Sequence, residues 1–196
     1  MTCPRSGPDL LPPGPGRRPA DRSGLERPRR GARVGDPARL AGGAQARRQP
    51  PARLDRFAYL GLTDNRLTRL PETIGRMGSL VELRLYNNRL EALPESIGGL
   101  RRLRELHLQG NRLTRLPASI ADLDELRVLD LRDNHLREVP DTLPPGLRHL
   151  DLRNNRLRDL PATLPPLEKL DLRWNKLDND PKVLRGLRER GCVILR

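Results

Sequence analysis

Aromatic residues are almost missing from this 196-residue chain, which has only Phe57, Tyr59, Tyr86 and Trp174. That scarcity argues against a groove where successive bases stack on rings, the usual device for holding single-stranded nucleic acid. Cysteine is scarcer still: Cys3 and Cys192 supply neither a disulfide framework nor the spacing of a zinc site. Long apolar runs are absent because charges interrupt each one, so no segment reads as a membrane span. Lysine occurs only as Lys169, Lys176 and Lys182, beside 35 arginines. A GC-rich coding sequence produces such a bias by itself.

What the chain does have is leucine in a fixed register. Residues Leu103 to Pro117 read LRELHLQGNRLTRLP, with leucine at places one, four, six and eleven and asparagine at nine. Neither helical nor plain strand periodicity gives this pattern. The ninth-place asparagines recur as Asn65, Asn88, Asn111, Asn134, Asn155 and Asn175, at intervals of 23, 23, 23, 21 and 20 residues. Phe57, Leu80, Leu103, Leu126, Leu147 and Leu167 hold the first place, and a proline stands six residues after every asparagine. A coil this short cannot bury its own leucines, so stacked copies must bury them for one another.

These residues resemble the leucine-rich repeat family from about Arg53 onward. The first intervals resemble its typical 23-residue class, and Leu143 to Pro165 resembles the shorter form of bacterial effectors. The resemblance implies an α/β solenoid: a horseshoe with a parallel sheet on its concave face and short helical or irregular convex segments. Strand alternation then points the fourth and sixth leucines inward and places three, five and seven to solvent. The asparagine amide would satisfy backbone groups where each strand turns. Each proline suits the first position of a short convex helix.

Two domains follow. Residues 1–52 hold ten prolines, eight glycines and eleven arginines against four acids, so the expectation is a disordered basic tail. It contains no secretory signal core, only Leu10-Leu11 among prolines. Residues 53–196 form the repeat domain. At its start, Leu54 and Phe57 fit apolar core places. At its end, Asp180 caps a helix beginning at Pro181, Val183, Leu184 and Leu187 make its buried stripe, and Gly191 ends it. Cys192 to Leu195 then reads as an edge strand, with Val193 and Leu195 at the fourth and sixth leucine places and Cys192 as a small buried hydrophobe.

Function should sit on the solvent-facing columns. The fifth place reads Gly61, Arg84, His107, Asp130, Asp151, Asp171, and the seventh reads Thr63, Tyr86, Gln109, Arg132, Arg153, Arg173. Three aspartates therefore stand beside three arginines in a lattice of opposite charge. Carboxylates about 5 Å apart have the spacing of a retaining glycosidase pair, but adjacent arginines would keep all of them ionised. His107, His135 and His149 are too widely separated to share a metal. Trp174 holds the eighth place, elsewhere occupied by Asp64, Asn87, Gly110, Asp133 and Asn154. A tenth-place column of Arg66, Arg89, Arg112, His135, Arg156 and Lys176 forms a basic edge.

The expectation is a monomeric, non-catalytic module without cofactor or metal that binds a partner protein through Arg84, Tyr86, His107, Gln109, Arg132, Arg153 and Trp174. Intracellular signalling or an effector-like scaffold would suit it. The alternative is a nucleic-acid or acidic-surface binder using the tail and the basic edge. Extracellular members of the resembled family often carry cysteine-rich caps, and their lack here points to the cytoplasm.

Overall fold

The structure is a computed structural model that describes residues 57–178 and 181–196. The expected tail, Leu54 and the capping role of Asp180 lie outside those residues. Among the described residues, strands β1 (Tyr59–Gly61), β2 (Glu82–Arg84), β3 (Glu105–His107), β4 (Val128–Asp130), β5 (His149–Asp151), β6 (Lys169–Asp171) and β7 (Val193–Leu195) form one open sheet. Every neighbouring pair is parallel and the strands lie in chain order. Helix α1 (Lys182–Glu189) precedes the last strand.

Each strand is short because its repeat must turn after presenting two leucines to the core. Leu83, Leu106 and Leu129 in the fourth place and Leu85, Leu108 and Leu131 in the sixth are fully buried. The ninth-place asparagine closes the coil. Asn111 donates through Nδ2 to the carbonyls of Leu85 (3.0 Å) and Leu108 (2.9 Å), and its Oδ1 accepts from Leu90 N–H (3.0 Å). Asn88, Asn134, Asn155 and Asn175 repeat this three-way staple, tying each repeat to the one before it. Asn65 does not: its side chain is exposed and reaches only the Thr63 carbonyl.

The convex side differs between long and short repeats. The first three carry 3-10 turns at Glu72–Arg76, Glu95–Gly99 and Ala118–Asp122. The prolines sit one place earlier than expected, just before each turn, with extended backbone and a carbonyl accepting from Ile74, Ile97 or Ile120 N–H. These turns nest closely: a Cβ on Gly75 would stand 2.1 Å from the Ser96 carbonyl, and one on Gly98 would stand 2.7 Å from that of Ser119. The corresponding residue of the third turn is Ala121, where the next repeat is short and forms no 3-10 turn.

Two expectations at the ends are corrected. Phe57 is 55% exposed rather than core, because among the described residues no coil stacks on its outer side. At the other end the register is one residue later than expected: Ile194, not Val193, pairs with Leu170, and Leu195 pairs with Asp171. The shift follows from how α1 ends. Gly191 adopts a left-handed φ of 83°, its N–H bonds to the Arg188 carbonyl, and Cys192 N–H bonds to that of Leu187. This double closure buries Cys192 beside Leu187 in the core, so Val193 turns outward, half-exposed. Burial pushes the Cys192 thiol pKa up, as befits an inert packing residue.

Candidate functional site

The sheet aligns the third and fifth places into ladders. Arg84, His107, Asp130, Asp151 and Asp171 pair in turn from β2 to β6, as do Glu82, Glu105, Val128, His149 and Lys169. Parallel strands stand about 4.8 Å apart, so each rung touches the next.

Charges within the ladders are mostly matched along their own strands. Arg153 grips both oxygens of Asp151 at 2.7–3.1 Å and reaches Asp171 at 3.3 Å. Arg173 bonds Asp171 through Nε at 3.0 Å and Nη2 at 2.8 Å. The two arginines close over Asp171, leaving it 3% exposed where an open position was expected. Burial alone would raise the Asp171 pKa, but the hydrogen bonds from Arg173 and the charge of Arg153 outweigh it and hold the carboxyl below its ordinary range. Asp130 is the opposite case. Burial dominates and lifts its pKa, because Arg132 offers only its backbone N–H at 3.2 Å and a looser Nε contact at 3.5 Å. Asp151 and Asp171 are therefore ion-pair partners of fixed arginines, and Asp130 is held less tightly.

The seven residues expected to bind a partner are spread along adjoining turns of the sheet from β2 to β6. Arg84 lies against Glu82, with its guanidinium carbon 5.3 Å from the centre of the Tyr59 ring. Tyr59 was left out of the expected set, although its column and half-exposed ring mark this N-terminal group. Tyr86 is partly buried one strand-length further on. His107 is held by Glu105 at 3.1 Å and approaches Glu82 at 3.9 Å. Gln109 keeps its buried Oε1 without a hydrogen bond. Arg132 and Arg153 belong to the aspartate lattice. Trp174 stands four repeats from Tyr86, about 19 Å along the solenoid.

The eighth-place column has a backbone reason that its polar composition hinted at. Asp64, Asn87, Gly110, Asp133, Asn154 and Trp174 all have left-handed φ between 51° and 68°. Glycine, asparagine and aspartate tolerate that conformation, whereas a bulky side chain there is strained. Asn87 donates to Asp64 and Asn154 to Asp133, each at 2.7 Å, so these side chains bridge successive turns. Trp174 makes no such bridge. It projects 70% exposed, with the Arg173 guanidinium 5.4 Å from its ring centre.

Two side-chain groups went unforeseen. Glu82, Glu105 and His107 bring one ligand atom each to within 4.8 Å of one another, a proximity that follows from two third-place glutamates on adjacent strands. Arg84 bonds Glu82 and His107 hydrogen-bonds Glu105, so these side chains are already partners of one another. His149 pairs with Glu168 at 3.5 Å instead, and His135 lies beyond the strands. On the basic edge, Arg137, Arg156, Arg158 and Lys176 line a surface cavity of about 430 Å³. The tenth-place column was legible, but the twelfth-place arginines that complete the cavity were not singled out.

A family model described as a leucine-rich repeat region matches residues 52–131, and another described as leucine rich repeat matches residues 124–177. No curated protein matches the chain. Among solved structures, a leucine-rich repeat protein of Leptospira interrogans is 36% identical with a TM-score of 0.59, over 66% of this chain and 34% of that one. YopM from Yersinia enterocolitica is 38% identical with a TM-score of 0.49, over 56% of this chain and 23% of that one. The chain thus spans only 34% and 23% of the length of these two proteins.

Proposed function

This chain belongs to the leucine-rich repeat family, and from that premise we propose that it is a non-catalytic module binding a partner protein through its concave face. Domains of this family generally mediate protein–protein interaction. The observation that carries the reading is Trp174: a large ring held exposed on left-handed backbone that its column otherwise fills with Asp, Asn or Gly. Such strain persists where a side chain is needed for something other than folding, and tryptophan is the residue most enriched at binding hot spots.

Partner contacts run from Tyr59, Arg84 and Tyr86 through His107, Gln109, Arg132 and Arg153 to Trp174. The repeat domain spans residues 53–196, acts as a monomer and works in the cytoplasm as a scaffold or effector-like adaptor. Among the described residues no helix is long and apolar enough to cross a membrane. Fixed ion pairs across the aspartate ladder favour specificity and association rate over proton transfer.

Affinity capture with the full chain, repeated with Tyr86→Ala and Trp174→Ala, tests this. A protein held by the parent and released by both variants, each melting normally, is the expected result. Loss of that protein from Arg66→Ala and Arg89→Ala instead, with both aromatic variants binding fully, overturns the concave assignment.

A further inference from the structure

We propose that the basic edge of repeats four to six is a binding site for a compact polyphosphate anion, distinct from the concave face. The site is the cavity of about 430 Å³ lined by Arg137, Arg156, Arg158 and Lys176. Backbone bonds assemble it. Arg156 N–H donates to the Leu136 carbonyl at 2.8 Å, bringing Arg156 alongside Arg137, and Lys176 N–H donates to that of Leu157 at 2.9 Å, bringing Lys176 alongside Arg158. The tenth-place and twelfth-place columns thus interleave around one depression.

Several other basic side chains among the described residues are already engaged. Arg84, Arg101, Arg104, Arg132, Arg148, Arg153 and Arg173 each sit on a carboxylate. Arg127 bonds the Gly146 carbonyl. Among the described residues, none of the four cavity cations has an ion-pair or hydrogen-bond partner through its side chain. Clustered like charge without counter-charge destabilises the folded chain, more so in a protein of net charge +13. An anion seated in the depression removes that repulsion, and arginine forks give phosphate oxygens paired, charge-assisted hydrogen bonds.

The pattern fits a compact ligand rather than a polymer. Following the twelfth place along the solenoid gives Thr68, Glu91 and Thr114 before Arg137, and Asp178 after Arg158. The doubled basic rail therefore lasts about two repeats and ends on neutral or acidic residues at both sides. A nucleic-acid backbone needs a continuous track of cations and rings to stack on. Here four positive charges converge on one place, a match for a small anion carrying several charged phosphates.

The probe is inorganic tripolyphosphate, titrated calorimetrically into the full chain at fixed ionic strength. The parent should bind it in preference to orthophosphate and sulfate. Arg156→Glu with Arg158→Glu should weaken binding at least tenfold, while the matched reversal Arg66→Glu with Arg89→Glu changes it less than threefold. The matched pair controls for net charge and for the arginines of residues 1–52. Tripolyphosphate should also protect Arg137, Arg156 and Arg158 of the parent from phenylglyoxal modification, a readout that needs no variant to fold. Equal loss from both double variants, no protection, or tighter binding of a short single-stranded oligonucleotide through the same arginines would each overturn the proposal.

Discussion

Two aspartates in one column make the residue-scale contrast. Asp171 has its pKa held down by Arg173 and Arg153, so its ionised form contributes stability that is present above the ordinary carboxylate value of 3.8 and lost as pH falls through the lower folded value. Asp130 is lifted by burial, so its contribution has the opposite sign: it is present below 3.8 and lost as pH rises through the folded value. Asp171→Asn should therefore cost about 1–3 kcal/mol at neutral pH, since it leaves two arginines poorly matched. Asp130→Asn should be neutral or stabilising, because the amide oxygen can still accept from Arg132 N–H. Urea titrations at pH 7 and pH 3 should show the difference between the two variants narrowing at the lower pH. Trp174 is the other residue whose local energy disagrees with its identity. Left-handed backbone costs a non-glycine residue about 1–2 kcal/mol, and an exposed cation–π contact with Arg173 returns about 0.5–1 kcal/mol. Trp174→Asn should then raise stability by about 0.5–1 kcal/mol while abolishing partner binding. An unchanged or lowered denaturant midpoint would remove strain from the argument for function.

At the scale of the element, the repeat was readable wherever one residue type performs one job. Leucine at places four and six, asparagine at nine and the left-handed eighth place all left a residue-type signature. The convex turns did not, because their constraint lies between repeats. Gly75 and Gly98 are small because the next turn's carbonyl approaches them, and nothing within a single repeat announces that. Gly98→Ala should therefore destabilise by about 1–3 kcal/mol through overpacking, although alanine is the better helix former and already stands at the equivalent Ala121. Thermal melts of Gly98→Ala and of Ala121→Gly separate the two causes: the first should fall through crowding, the second only by the glycine penalty of about 0.5–1 kcal/mol. The last strand misled for a related reason. A 23-residue count carried Val193 into the fourth place, but helix α1 and its Gly191 closure replace the usual convex segment, and chain length there follows helix geometry instead.

For the whole repeat unit, stability is a sum of neighbour contacts, so its two ends need not be alike. Asn111 is locked by three hydrogen bonds, two of them reaching into the preceding repeat, and the C-terminal edge is covered by α1 and β7 with Leu184 and Leu187 fully buried. The first described repeat has weaker holds: Asn65 bonds only Thr63, Leu60 and Leu62 are partly buried, and Phe57 is more than half exposed. Opening should accordingly start at β1 and propagate inward. Amide hydrogen exchange is the direct measure. Leu62 and Asp64 N–H, bonded to the Arg84 and Tyr86 carbonyls, should exchange fastest among the sheet amides. Leu108 and Leu131 should exchange only through global unfolding, and Leu172 N–H, bonded to Leu195, should lie closer to them than to Leu62. The same asymmetry orders the asparagines. Asn111→Ala should cost about 1–3 kcal/mol by orphaning buried backbone groups, and Asn65→Ala only a few tenths, about what one exposed hydrogen bond contributes. Protection as high at Leu62 as at Leu108 would mean that residues before Phe57 complete the N-terminal coil, and Asn65→Ala would then cost as much as Asn111→Ala.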